Sequence, residues 1–152
     1  FWTTFLAKSR EATNLHANIS PTRSNWVGVT AGFSGLTYNC VLNKHRCYIE
    51  LHIDRGAKEE NKRIFDMLHE NTQQVDAGFG SVLEWDRQEK NRRSLVKYVV
   101  GEAGYGDESE WPVLQDKMLD AIIRMERVFQ PRIETLRRGE TTAPISHSTP
   151  QS

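Results

Sequence analysis

Arg46, Tyr48, Glu50, His52 and Asp54 stand at alternate positions of one short stretch, and together they offer a guanidinium, a phenol, two carboxylates and an imidazole. Side chains of these types can hold a ligand by hydrogen bonds. Where a carboxylate and an imidazole converge, they can also move a proton in general acid–base catalysis, which makes Glu50, His52 and Asp54 the candidates for such work on a small ligand. The residues between them, Cys47, Ile49, Leu51 and Ile53, are all apolar. That period of two predicts a strand with one buried and one open face. If the preceding strand pairs antiparallel, Thr37 and Asn39 join the open face.

Other chemistries fit this stretch poorly. Restriction-type nucleases need two or three carboxylates and a lysine around a metal. Here Trp26 to Cys40 contains no carboxylate, and Glu50 and Asp54 would lie about 13 Å apart at ~3.3 Å per residue, too far to share one ion. Cys40, His45, Cys47 and His52 are zinc-type ligands, but Cys40 and Cys47 fall on the apolar face and His52 on the other, so the four cannot converge on one ion. Gly32-Phe33-Ser34-Gly35 lacks the spacing of a nucleophile elbow. The glycines at 101, 104 and 106 are flanked by Glu102, Asp107 and Glu108, which would repel phosphate. No cofactor motif and no metal site are read.

A second candidate surface is electrostatic. Arg87, Lys90, Arg92, Arg93 and Lys97 form the densest positive run, and Arg124, Arg127, Arg132, Arg137 and Arg138 add a basic C-terminal stretch. Such side chains can neutralise nucleic-acid phosphates. The run is interleaved with Asp86, Glu89, Glu126 and Glu134, the pattern of a solvated loop and helix face.

These residues need elements to position them. Phe1, Trp2, Phe5 and Leu6 predict a helix over 1–12, and a connector rich in Ser, Thr and Asn follows to Asn25. Three strands come next: about 26–33, then 36–42, then 46–54, with turns at 32–35 and 43–45. Ile64, Phe65, Leu68, Val75 and Phe79 predict one helix over about 58–77, closed by Gly78 and Gly80. Strands over 81–86 and 94–100 flank the basic loop. Trp111-Pro112 opens a last helix, whose stripe runs through Leu114, Met118, Ile122, Met125 and Phe129, with an end or kink at Pro131. The expected fold class is α+β, a mostly antiparallel sheet of about five strands with helices on one face, in the order α-β-β-β-α-β-β-α. Residues 1–138 form one domain, and 139–152 read as a disordered tail.

The chain has 152 residues, 38% of them hydrophobic, which suits a single core. No apolar run approaches the roughly 18 residues of a membrane span, and no signal-peptide pattern is present. Two cysteines are too few for a disulfide framework and fit a reduced compartment, so a cytoplasmic location is expected. Twenty basic and twenty acidic residues cancel, leaving any electrostatic targeting to local patches. The chain opens on Phe1-Trp2, which leads us to expect further residues upstream.

The string Cys47-Tyr48-Ile49-Glu50-Leu51-His52-Ile53-Asp54, with Asn61-Lys62, Leu83-Glu84-Trp85 and Trp111-Pro112, resembles the bacterial and archaeal domain of unknown function family number 4268. The likeness spans about Phe1 to Leu136. Where this family carries a Glu-Leu-Tyr-Ile-Asp string, His52 here replaces the aromatic. The resemblance implies a domain often placed C-terminal to a restriction-endonuclease-like domain. The expected function is thus a non-catalytic accessory domain of a bacterial defence or repair protein. It would bind nucleic acid or a partner, including that nuclease-like domain or a second copy of itself. The alternatives are the small-ligand enzyme built on Glu50, His52 and Asp54, and a dimerisation module exposing Trp2 and Trp26; an exposed aromatic pair of Trp26 and Tyr48 would favour the binding reading.

Overall fold

Strand Cys47–Ile53 (β3) is the axis of the molecule, and its sequence shows why: Cys47, Ile49, Leu51 and Ile53 are all fully buried on one side. A computed structural model describes residues 1–148, with side chains through residue 139. It places β3 third in a five-stranded sheet. Trp26–Thr30 (β1) and Leu36–Leu42 (β2) lie on one flank, and Ser94–Gly101 (β5) and Glu84–Asp86 (β4) on the other, in the order β1-β2-β3-β5-β4. Every pairing is antiparallel. Thr37 pairs with His52 and Asn39 with Glu50, so both β2 residues share the polar face of β3.

All the helices lie against the other face. Trp2–Ala12 (α1) contributes Trp2, Phe5 and Leu6 to the core. Trp111–Ser148 (α4) contributes Leu114, Met118, Ile122, Met125, Phe129 and Ile133, its apolar stripe lying along the sheet. Gln130 ties α4 to the sheet: its amide oxygen accepts from the Tyr38 hydroxyl at 2.7 Å and its amide nitrogen donates to the Ala31 carbonyl at 2.8 Å. The α+β class and the one-sided helical layer are as expected. No helix among the described residues is long and apolar enough to cross a membrane.

Four boundaries differ from expectation, and the first is that the strand expected over about 26–33 ends at Thr30. The helix predicted over 58–77 is two helices, Lys58–His69 (α2) and Thr72–Phe79 (α3). At the break the Thr72 hydroxyl donates to the His69 carbonyl, a side-chain bond that competes with the helical ladder. Gly80, at φ 101°, takes the left-handed cap that ends α3. The strand expected over 81–86 is shortened to Glu84–Asp86. Finally, α4 passes through Pro131 and Gly139 as far as Ser148. Ile133, two residues past the proline, is fully buried, so packing on both sides offsets the lost backbone bond. The tail expected over 139–152 therefore falls partly on helical backbone, and residues 149–152 lie outside the described residues.

Candidate binding face

Among the described residues no helix covers the second face of the sheet, and the strand register fixes what it displays. Across its middle, Gly28, Asn39, Glu50, Lys97 and Glu84 are paired neighbours on five successive strands. One row aligns Thr30, Thr37, His52, Leu95 and Asp86, and the other aligns Trp26, Val41, Tyr48 and Val99. Over this surface runs a groove of about 610 Å³, lined by Trp26, Gly28, Thr37, Asn39, Tyr48, Glu50 and His52, with Asn25 and Val41, and by Arg93 from the β4–β5 loop.

At its floor sits a buried polar pair. Glu50 is 7% exposed and Asn39 9% exposed, and the Asn39 amide nitrogen donates to Glu50 Oε2 at 2.9 Å. A carboxylate accepts only, so it fixes which way the amide points. The other end of that amide, Asn39 Oδ1, has no hydrogen-bond partner among the described residues. A buried carbonyl left in that state costs ~1–3 kcal/mol. The oxygen can be housed there because residue 28 is glycine: a Cβ at that position would lie 2.3 Å from Asn39 Oδ1 and 2.9 Å from Trp26 Cζ3. The Trp26 ring thus rests over Gly28 beside the unpaired oxygen, on an edge strand, and is 50% exposed. On the other side of Glu50, Lys97 Nζ stands 4.5 Å from the centroid of the Tyr48 ring. Burial, and then the neighbouring Glu50 charge, push the Tyr48 phenol above its ordinary range.

The residues singled out from the sequence divide sharply. Thr37, Asn39, Tyr48, Glu50 and His52 meet on the groove. Arg46 does not: it lies in the turn before β3, with a bulge between Cys47 and Tyr48, and its guanidinium is 3.8 Å from Glu102. Asp54 lies past the end of β3. It is gripped by Arg92 at 2.7 Å, by the Asn61 amide at 3.1 Å and by the Gly56 N–H at 3.1 Å, and Arg92 foremost holds its carboxyl at about 2. The three candidate acid–base groups are therefore not assembled: Asp54 is held by Arg92, and Glu50 by the Asn39 amide. Val41 sits between Trp26 and Tyr48, so the expected aromatic pair is not formed. Trp2 is buried, with its indole N–H donating to the Ser24 carbonyl at 2.9 Å, so it cannot serve a dimer surface. Cys40 and Cys47 are buried free thiols whose pKa values burial raises, that of Cys47 to about 11. Among the described residues no group of three or more His, Cys, Asp or Glu is placed to hold a metal.

The basic loop is largely neutralised from within. Arg87 binds Asp66 at 2.9 Å and Glu89 at 2.6 Å, and Arg92 is committed to Asp54. Arg93 makes one bond to the neutral Gln88 side chain at 3.2 Å and turns toward the groove, while Lys90 is exposed. On the C-terminal helix, Arg124 is bound to Asp120 and the Phe79 carbonyl, Arg132 to the Val128 carbonyl and Arg137 to Glu134.

What bolts the loop down was not foreseen. Lys62 is 6% exposed, and its ammonium shares three hydrogens among four acceptors, the carbonyls of Arg87, Gln88 and Arg93 at 2.6, 2.9 and 2.7 Å and Ser94 Oγ at 2.9 Å. Asn61 beside it accepts from the Arg55 N–H and donates to Asp54 and the Arg92 carbonyl. Neither residue carries a sequence signal of this role, since the acceptors of Lys62 lie 25 to 32 residues away and Asn61 joins Asp54, seven residues back, to the Arg92 carbonyl, 31 residues on.

The family model described as Domain of unknown function (DUF4268) matches residues 1–133. No curated protein and no solved structure matches the chain.

Proposed function

The chain belongs to the DUF4268 family, whose description assigns no activity, and on that premise we propose that it is a non-catalytic binding domain which receives single-stranded nucleic acid on the open face of its sheet. It would serve as accessory to a nuclease-like domain, as the resemblance of its motifs implies. One observation carries the reading: a single groove unites an exposed indole, a half-buried phenol, a row of hydrogen-bonding groups and a cation at its margin. Bases stack on aromatic side chains for ~1–3 kcal/mol each, and cations beside such a platform take the phosphates. Arg93, which lines the groove, and Lys97, over the Tyr48 ring, are the cations so placed. A duplex is read by a helix or ribbon that enters its groove, and this face projects neither.

Acid–base chemistry is the weaker reading, because Asp54 points away into an ion pair and Glu50 is held by an amide. The test is a titration of the purified protein with labelled single-stranded and duplex DNA and RNA at about 50 mM and 200 mM salt. Single strands bind, more weakly as salt rises, and Trp26→Ala lowers affinity by about tenfold. Absence of binding at the lower salt would replace this reading with docking of a protein partner.

A further inference from the structure

The two edges of the sheet are protected unequally. β4 is three residues long and exposes the carboxylates of Glu84 and Asp86, the short and charged form in which edges resist pairing. β1 is five residues, Trp-Val-Gly-Val-Thr, with no charge, no proline and an unbroken register against β2. Its hydrogen bonds show which way its backbone points. The Leu42 N–H donates to the Asn25 carbonyl at 2.7 Å, and the Ala31 N–H donates to the Leu36 carbonyl at 2.8 Å. Hydrogen-bonded positions alternate along an antiparallel strand, so Val27 and Val29 also face β2. The N–H and C=O groups of Trp26, Gly28 and Thr30 therefore point outward from the sheet, and none of them has a partner among the described residues.

We infer that β1 pairs with the same strand of a second copy, antiparallel about a twofold axis at Gly28, so that two sheets become one. The outward groups fix the register. Gly28 faces Gly28 of the partner subunit, and Trp26 faces Thr30 of the partner subunit. Each of the three pairs exchanges two bonds, about six in all. A twofold axis sets a strand against itself, which a charged edge opposes: at β4 it would set Glu84 against Asp86 of the partner subunit. β1 has no charge to oppose. Its central glycine brings no side chain to the axis, and an aromatic ring opposite a β-branched residue is a favourable cross-strand pair. The contact is isologous and closes on itself, and the edge left at each end is the charged β4. Residues that face each other across strands share a side of the sheet, so the two open faces merge. Thr30 of the partner subunit then joins the groove beside Trp26. The pairing goes beyond the binding reading and does not rest on it, since it needs no ligand.

The experiment is sedimentation equilibrium of the full chain without nucleic acid, from about 1 to about 200 μM. The mass rises to twice that of one chain. As it does, amide hydrogen exchange at Trp26, Gly28 and Thr30, followed by NMR, slows by about tenfold or more. Thr30→Pro removes one outward N–H and sets a ring on the edge, where a strand tolerates proline because that N–H serves no bond within the sheet. This variant stays a single chain at every concentration. The exchange measurement needs no variant, so a misfolded mutant cannot obscure it. A single chain throughout the range would overturn the pairing and leave the edge to an extended segment of another protein. A dimer whose three outward amides exchange as fast as those of the single chain would overturn it too, because another surface would then hold the copies together.

Discussion

The end and the middle of β3 open onto polar neighbourhoods built from the same kinds of residue and left in opposite states. Beyond Ile53, Asp54, Asn61, Lys62 and Arg92 close on one another and on the loop backbone: Lys62 alone meets four acceptors, and Asp54 meets three donors. At mid-strand, Asn39 and Glu50 satisfy each other once and leave one amide oxygen without a donor. The first neighbourhood holds a loop in place. The second is a surface with unmet hydrogen-bonding capacity. Charge density alone would have ranked them the other way, since the basic loop is the more charged and the less available. A polar group signals function through what it lacks rather than through its presence.

Substitutions should separate the two regions, beginning with the closed one. Lys62→Met keeps most of the stem but removes the cation that gathers the loop; the Arg93 carbonyl loses that donor, while those of Arg87 and Gln88 keep Ser94 Oγ and the Asn91 N–H, and we expect a loss of about 3–4 kcal/mol, read from the urea midpoint at constant m-value. A loss below about 1 kcal/mol would mean that the loop is held by its surface ion pairs instead.

The second test concerns the other unpaired buried atom, His16 Nε2. Its ring accepts from or donates to Ser9 Oγ at 2.6 Å through Nδ1, and is wholly enclosed. Its enclosure ties this deficit to folding. Burial, aided by Arg10, lowers its pKa to about 4. The unfolded chain takes up this proton below about pH 6.5 and the folded one only near 4, so stability is full above 6.5 and falls by about 3 kcal/mol across that window. Denaturant melts at stepped pH values should show the fall, and His16→Gln should flatten it.

At the open face the sign differs. Asn39→Ala removes a partner of Glu50 but also an orphaned oxygen, so stability should move by less than about 1 kcal/mol while oligonucleotide affinity falls. A melt that collapses with this variant would make the pair structural and erase the contrast. The smallest effect distinguishes two adjacent arginines. Arg93→Ala should lower the slope of log affinity against log salt by about one, whereas Arg92→Ala, whose guanidinium serves Asp54, should leave the slope nearly unchanged.

Much of this was legible from residue order. The strict alternation of Cys47 to Ile53 reports a one-sided sheet, and register parity alone carries Thr37 and Asn39 to the polar face. The helix break at 70–71 was not legible, because the apolar stripe continues from Leu68 to Val75 as though unbroken and the interruption rests on one hydroxyl, that of Thr72. Nor could the sequence show that Arg87 and Arg92 are neutralised, since their partners Asp66 and Asp54 arrive from 21 and 38 residues away. Gly28 reads as an ordinary interruption of a strand. Its value emerges only once Asn39 stands opposite and Trp26 folds across it.

The position of that indole gives the protein an optical reporter. Of its four tryptophans, Trp2 is enclosed, Trp85 and Trp111 are partly covered by ring neighbours, and Trp26 alone is half open to water. Its emission should be the reddest and the most readily quenched by acrylamide. An occupant of the groove would shield it and shift the spectrum to the blue, so the natural chain can signal occupancy without a label, and Trp26→Phe supplies the blank.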